Sequence, residues 1–298
     1  MFPAALIFCW MEEQSLKKCF RKFNSEQLTC IHDSYDIVGD IAILRLTSTV
    51  NGKAKTLAET IMDTHNNVRT VLAQTTPVQG DFRLRGLKHV AGENKKVTIH
   101  RESGCLFSVE LEKCYFSPRL SYERARIAKL VDNDDVVVNM FAGVGCFSMV
   151  IAKHSNPQKV YSIDVNPIAV QYMRENVKLN RVYGKVVPVL GDAKEIIEKR
   201  LRRLADRVLM PLPEKALQYL PYALLALKTS GGWIHYYGFE HVMGKENPIE
   251  KTKAKVAEKL ESLGVSFDFP FCRVVRSTGP NWHQTVLDIK VGSLGKWE

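Results

Sequence analysis

The chain has 298 residues, enough for one large or two modest domains, each burying a core. Hydrophobic residues at 45% and charged residues at 25% describe a folded globular protein and exclude a disordered one. Lys and Arg number 42 against 32 Asp and Glu, and the net +10 favours a polyanionic partner, with RNA, DNA and anionic membrane all open.

Cys9, Cys19, Cys30, Cys105, Cys114, Cys146 and Cys272 are scattered without a CxxC, so neither a disulfide framework nor a metal site is expected. A reducing cytoplasm fits this pattern best. The apolar run from Phe2 to Met11 is too short to cross a membrane, lacks a basic leader and is followed by Glu12 and Glu13. It reads as the start of a packed strand or helix.

Ile41 to Leu46 is an apolar strand entered through a Gly39-Asp40 turn. Lys55 to Leu72 places Leu57, Ile61, Met62, His65, Val68 and Leu72 at three- and four-residue steps, which predicts an amphipathic helix. Phe82 to Val90, Lys96 to His100 and Cys105 to Leu111 alternate or carry β-branched residues and predict strands, with Gly92 and Gly104 at the turns. After Pro118 strand and helix alternate. Helices are expected over Leu120 to Val131, Phe147 to His154, Ala169 to Leu179, Ala193 to Leu201, Ala216 to Lys228 and Ile249 to Leu263. Strands are expected over Asp135 to Met140, Val160 to Asp164, Val186 to Leu190, Arg207 to Met210 and Gly232 to Tyr237, with a final antiparallel pair near Cys272 to Arg276 and Thr285 to Lys290. The fold class is therefore α/β, a doubly wound parallel sheet preceded by a small α+β domain. The division runs as a short N-terminal extension over 1–30, the small domain over 31–111 and the larger one over 112–298.

Val136 to Gly145 is a buried strand running into a glycine turn that opens a helix; Gly143 and Gly145 let backbone approach a ligand closely. Alone, that turn does not separate one nucleotide-like cofactor from another. The next strand ends at Asp164, where an acid can bond both hydroxyls of a ribose, or can cap the helix that begins at Pro167. The third ends at Asp192, which can bond an adenine amino group, cap the following helix, or do both. G-x-G followed by acids at two successive strand ends points to S-adenosyl-L-methionine (SAM), with Phe141, Val165 and Ala193 flanking those positions. Ser148 stands where a dinucleotide fingerprint needs its third glycine or alanine.

SYDIVGDIAIL at Ser34, GDFRLRGLKHVAGE at Gly80, CYFSPRLSYER at Cys114, VVVNMFAGVGCFS at Val136, DVNPIAV at Asp164 and GGWIHYY at Gly231 occur in one order. In them the chain resembles the archaeal and eukaryotic tRNA (guanine-37 N1)-methyltransferases and their wybutosine-pathway relatives, from about Ile31 onward. The resemblance implies a Rossmann-like SAM-binding domain behind an RNA-facing one, and as acceptor the tRNA base 3′ of the anticodon. It implies Glu123 as the general base that removes the guanine N1 proton, with Tyr115 and Arg119 bordering the methionine end of SAM. It also implies that Arg83 or Arg85 offsets negative charge on guanine O6. On the predicted strand those two arginines share one face, and contact with phosphate alone is the other role open to them. Glu123 lies four residues after Arg119, so a helix from Pro118 would put both on one face, where a surface ion pair is the alternative.

Pro211, in Met210-Pro211-Leu212-Pro213, stands where the N1-methyltransferases usually carry Asn, which bears on how the acceptor is positioned. Only about 30 residues precede SYDIVGD, so a tRNA-elbow domain is expected to be reduced or missing. Phosphate contacts are then sought in Lys17-Lys18-Arg21-Lys22, Lys95-Lys96-Arg101 and Lys199-Arg200-Arg202-Arg203. His235 reads as structural, and a monomer is taken as the default.

Overall fold

The computed structural model describes residues 35–45 and 54–295. The Phe2 to Met11 run, the N-terminal extension, the Lys17 to Lys22 cluster and three of the cysteines lie outside them. The chain divides into two compact units between Tyr122 and Glu123.

In the first unit, β1 (Asp36–Val38), β2 (Ile41–Arg45), β3 (Thr70–Gln74) and β4 (Leu87–Gly92) form a sheet in that order. β2 and β3 are parallel, joined by helix α1 (Ala54–Thr64), and the other pairings are antiparallel. Ala42 and Leu44 pack on Leu57, Ala58 and Ile61 of α1. β5 (Val97–Glu102) and β6 (Cys105–Glu110) make a separate hairpin. Asp40 ties that hairpin to the β1–β2 turn by accepting from Thr98 Oγ1 and Lys95 Nζ, both at 2.7 Å.

Two expectations are corrected here. The helix predicted to Leu72 ends at Thr64, because Leu72 belongs to β3 and Val68 to the loop before it. Buried loop and strand positions prolonged the helical spacing by coincidence. The strand predicted from Phe82 is a tight turn: Gln79 and Leu84 exchange backbone hydrogen bonds of 2.9 and 3.0 Å, and Arg83 takes a φ of 54°. Sheet pairing starts only at Leu87. Gly80-Asp81 carries the turn chemistry that the downstream alternation masked.

The second unit is built on a seven-stranded sheet. Its strands and helices are β7 (Val136–Asn139), α3 (Cys146–His154), β8 (Lys159–Asp164), α4 (Pro167–Asn180) and β9 (Val186–Leu190). They continue as α5 (Ala193–Ile196), a π-turn (Ile197–Leu201), β10 (Arg207–Met210), α6 (Ala216–Ala226), β11 (Gly232–His241), α7 (Pro248–Ser262), β12 (Phe267–Gly279) and β13 (Trp282–Val291). Helix α2 (Ser121–Leu130) precedes β7. The spatial order is β12-β13-β11-β10-β7-β8-β9, parallel from β9 to β11, with β13 antiparallel between β11 and β12. The expected doubly wound sheet and final antiparallel pair are both present. β12 and β13 run longer than expected, since three register shifts and many half-exposed positions along β12 hide its alternation.

Strand order reverses at β7, whose chain successor β8 lies on one side and β10 on the other. A crevice opens at such a reversal, outside the carboxyl ends of the strands. The glycine turn is fixed there from several directions. Ala142 N–H donates to Ile163 O at 2.8 Å, Gly145 N–H to Ala142 O at 2.9 Å, and the buried Asn176 amide of α4 to Val144 O at 3.0 Å. Gly145 sits at φ 90°, and a Cβ there would lie 2.8 Å from Met149 Cε and from Met173 Cγ. Gly145→Ala is therefore expected to destabilise the unit by about 2 kcal/mol, lowering the midpoint of thermal unfolding by roughly 4–8 °C in calorimetry.

Candidate functional site

Asp164 stands at the carboxyl end of β8, its Oδ2 accepting from Gly143 N–H at 2.7 Å and its Oδ1 from Asn166 N–H at 2.9 Å. Burial raises its carboxyl above the ordinary range, and the backbone donors oppose that rise. It does not cap α4. Asn166 does, its Oδ1 accepting from Ile168 and Ala169 N–H with Pro167 in the first turn. Val165 N–H adds a third backbone bond, and a carboxylate with about four acceptor sites retains capacity for a ligand hydroxyl. Asp192 caps α5 through Oδ1 to Lys194 N–H at 2.8 Å, while its Oδ2 accepts from Tyr219 O–H at 2.7 Å. Tyr219 in turn meets the Phe141 ring edge-on at 5.2 Å. Below the turn, the buried Asn139, Ser148 and Ser162 form a hydrogen-bonded chain, and Asn139 Oδ1 accepts from Phe141 N–H at 3.4 Å. Two strand-end carboxylates, a left-handed glycine turn and an aromatic edge suit the ribose, adenine and sulfonium of SAM. Pro211 follows directly on β10, at the same end of the sheet.

Glu123 begins the second unit in the first turn of α2 and is only 1% exposed. Its Oε2 accepts from Tyr237 O–H at 3.0 Å and Arg126 Nε at 3.1 Å, and its Oε1 from Arg273 Nη2 at 2.5 Å. Burial and the neighbouring Glu123 carboxylate push the Tyr237 hydroxyl well above its usual range, so it donates. Arg126 also forks onto Asp288, through Nη1 at 2.5 Å and Nη2 at 3.1 Å. Asp288 Oδ1 lies 2.5 Å from His235 Nδ1, and His235 Nε2 lies 2.9 Å from Arg207 Nη1. Because Arg207 can only donate, His235 Nε2 accepts and Nδ1 carries the proton. Burial pushes the imidazole below its ordinary value, against the pull of Asp288, and His235 is neutral. Burial alone would raise Asp288, but bonds from His235 and Arg126 hold it at about 2.

In the first unit, Arg119 lies in a 3₁₀ turn, Pro118–Leu120, rather than in α2 itself. The surface ion pair with Glu123, held open as the alternative role, is not the one Arg119 makes: its Nε donates to Asp36 Oδ1 at 2.6 Å. The 3₁₀ turn breaks the four-residue register that the prediction assumed. Asp36 also accepts from Arg45 at 3.0 Å. Arg83 and Arg85 leave the predicted common strand face with the turn described above. The Arg83 guanidinium stacks on the Tyr115 ring at 4.4 Å, whereas Arg85 is 9% exposed and its Nη2 has no hydrogen-bond partner among the described residues. Burial lowers the Arg85 pKa, with Asp36 and Tyr115 opposing. Of the basic clusters, Lys95 is paired with Asp40 and Glu93, Lys96 with Glu112 and Lys199 with Glu195.

Sequence reasoning passed over Arg126, Asp288, Arg273, Tyr237 and Tyr219. Signals existed for two of them. Arg126 is one helical turn from Glu123, and Asp288 is an acid inside the apolar run Thr285 to Lys290, a position that demands a buried partner.

The strand order and the carboxylates at the ends of β8 and β9 define a Rossmann-like SAM-dependent methyltransferase. More narrowly, the chain belongs to the TRM5/TYW2 methyltransferase family, whose domain model matches residues 98–263. The TYW2 N-terminal domain matches residues 16–95. The chain is 40% identical over 259 residues to the tRNA (guanine(37)-N(1))-methyltransferase Trm5b of Pyrococcus abyssi, covering 87% of this chain and 74% of that one. It is 37% identical to the tRNA 4-demethylwyosine(37)-methyltransferase Taw21 of Saccharolobus solfataricus, covering 86% and 92%. Among solved structures, P. horikoshii TYW2 in complex with MeSAdo aligns with a TM-score of 0.74 at 25% identity, covering 95% of this chain and 99% of that one.

A histidine kept neutral in the fold takes up a proton on unfolding below about pH 6.5, so its contribution to stability is full above that pH and is lost as pH falls. The unfolding midpoint should drop by about 3 °C per pH unit below 6.5 on this account. In His235→Gln that component should vanish, which thermal denaturation between pH 7.5 and 5.5 measures.

Proposed function

We propose that the chain transfers the SAM methyl group to N1 of guanosine 37 in tRNA, with Glu123 as the general base. The observation that carries this is a carboxylate 1% exposed yet oriented by Tyr237 and Arg126, an expensive arrangement for a group with no chemical task. Asp164 holds the ribose hydroxyls and Asp192 the adenine amino group, with Phe141, Gly143, Gly145, Val165 and Ala193 lining the cofactor. Tyr115 and Arg119 border its methionine end. When bound, SAM supplies an electrophilic methyl. Glu123 takes the N1 proton as N1 forms its new bond to carbon, and an arginine offsets the charge that grows on O6. Arg83 is the stronger candidate for that contact. Its guanidinium lies on Tyr115, whereas Arg85 is buried.

The anticodon loop of tRNA is the partner, which the net charge of +10 suits. Among the described residues no helix is long and apolar enough to cross a membrane, and no group of side chains could hold a metal. The protein works in the cytoplasm as a monomer.

A second acceptor, a wyosine precursor at the same tRNA position, is favoured by Pro211 and by the TYW2 N-terminal match. It would receive either the methyl at C7 or the aminocarboxypropyl group. Labelled SAM with G37 and A37 transcripts, followed by nucleoside analysis, separates the two acceptors: 1-methylguanosine from G37 alone is expected. Label found only in pre-modified tRNA would replace the first acceptor with the second. Glu123→Gln should retain SAM binding and lower kcat by about 10²–10⁴-fold; unchanged turnover would remove Glu123 as the base. Arg83→Ala should lower kcat more than Arg85→Ala in the same single-turnover assay.

A further inference from the structure

Glu123 is held asymmetrically. Its Oε2 is fixed by the buried Tyr237 and by Arg126, whose side chain is 12% exposed, whereas the Oε1 partner, Arg273, has a side chain 31% exposed on β12, the edge strand of the sheet. One oxygen is thus anchored, and the other is bound by a donor that solvent already reaches.

The anchor itself is built in depth. Arg126 reaches Glu123 and Asp288 at once: Nε and Nη2 lie 3.1 and 3.0 Å from Glu123 Oε2, and Nη1 and Nη2 reach the two Asp288 oxygens. Two carboxylates therefore set the plane of one guanidinium, a constraint that an ammonium on a flexible stem cannot reproduce. Asp288 on β13 is oriented by His235 on β11, His235 by Arg207 on β10, and Arg207 Nε by Asp135 Oδ2 at 3.2 Å, just before β7. The relay crosses four adjacent strands and ends at the turn of α2 that carries Glu123.

Building on the proposed role of Glu123 as base, we infer that Arg126 is the positioning residue that aims Glu123 Oε1 at the acceptor proton, with Asp288 and His235 fixing Arg126. Arg273 is the donor that the acceptor displaces. A base misplaced by about 1 Å loses on the order of 10²-fold in rate, while substrate and cofactor binding need not change.

The experiment measures kcat, KM for G37 tRNA and the SAM dissociation constant for Arg126→Lys, Asp288→Asn, His235→Gln and His235→Leu, beside Glu123→Gln. Arg126→Lys keeps the charge but loses the fork, and should lower kcat by about 30–100-fold with KM and SAM affinity within about twofold of wild type. Asp288→Asn should lower kcat about tenfold in the same way. A glutamine can donate to Asp288 and accept from Arg207 as neutral histidine does, so His235→Gln should stay within about threefold of wild-type kcat while His235→Leu falls to the level of Asp288→Asn. Should Arg126→Lys fail to fold, Asp288→Asn and the glutamine–leucine contrast at His235 decide alone. Wild-type kcat in Arg126→Lys or Asp288→Asn, or losses of kcat and SAM affinity in parallel, would overturn the inference. If Glu123→Gln itself turns over normally, the base assignment fails; if Glu123→Gln is slow but Arg126→Lys is not, only the positioning role does.

Discussion

The absence of one side-chain carbon at Gly145 sets the geometry of the cofactor end of the sheet. Only with its backbone in the left-handed region, and with Met149 and Met173 closed over the space a Cβ would need, can the chain leave β7, reverse and enter α3. That reversal brings Gly143 N–H to Asp164 and Val144 O to Asn176, so the ends of β7 and β8 and helix α4 share one set of hydrogen bonds. The strand-end carboxylates are rigid because the turn is.

A second constraint is electrostatic. The second unit buries Glu123 and Asp288 within a few ångströms of Arg126, at 1% and 3% exposure. A lone buried carboxylate would either take a proton or unfold its surroundings. Here guanidinium forks, a tyrosine hydroxyl and a neutral imidazole supply donors for both. The cost of desolvation is thereby converted into fixed orientation, which a surface carboxylate could not achieve.

The doubly wound sheet was legible because its central strands are buried on both faces and its helices carry start signals such as Pro167, although the cap there is Asn166 and not the Asp164 weighed for it. Asp164, Asp192 and the glycine turn were legible for the same reason: local spacing alone puts them at one end of the sheet. What failed was whatever depends on pairing partners. The turn at Gly80–Arg83 was hidden by alternation that looked like a strand, and β3 by spacing that looked like a helix. The partners that Arg119 and Glu123 actually take, Asp36 and Arg273, lie 83 and 150 residues away, where no local spacing could point to them. The relay behind Glu123 was invisible, since its members are separated by up to 162 residues and meet only when β11 and β13 pair.

Arg83 holds a φ of 54°, a conformation in which a residue with a side chain is less comfortable than glycine. The turn would fold more readily with glycine, but no guanidinium would then lie on the Tyr115 ring. Foldability and charge placement therefore pull in opposite directions at this one position. A collection of variants chosen for thermal stability alone would tend to discard the arginine proposed here to face the acceptor base.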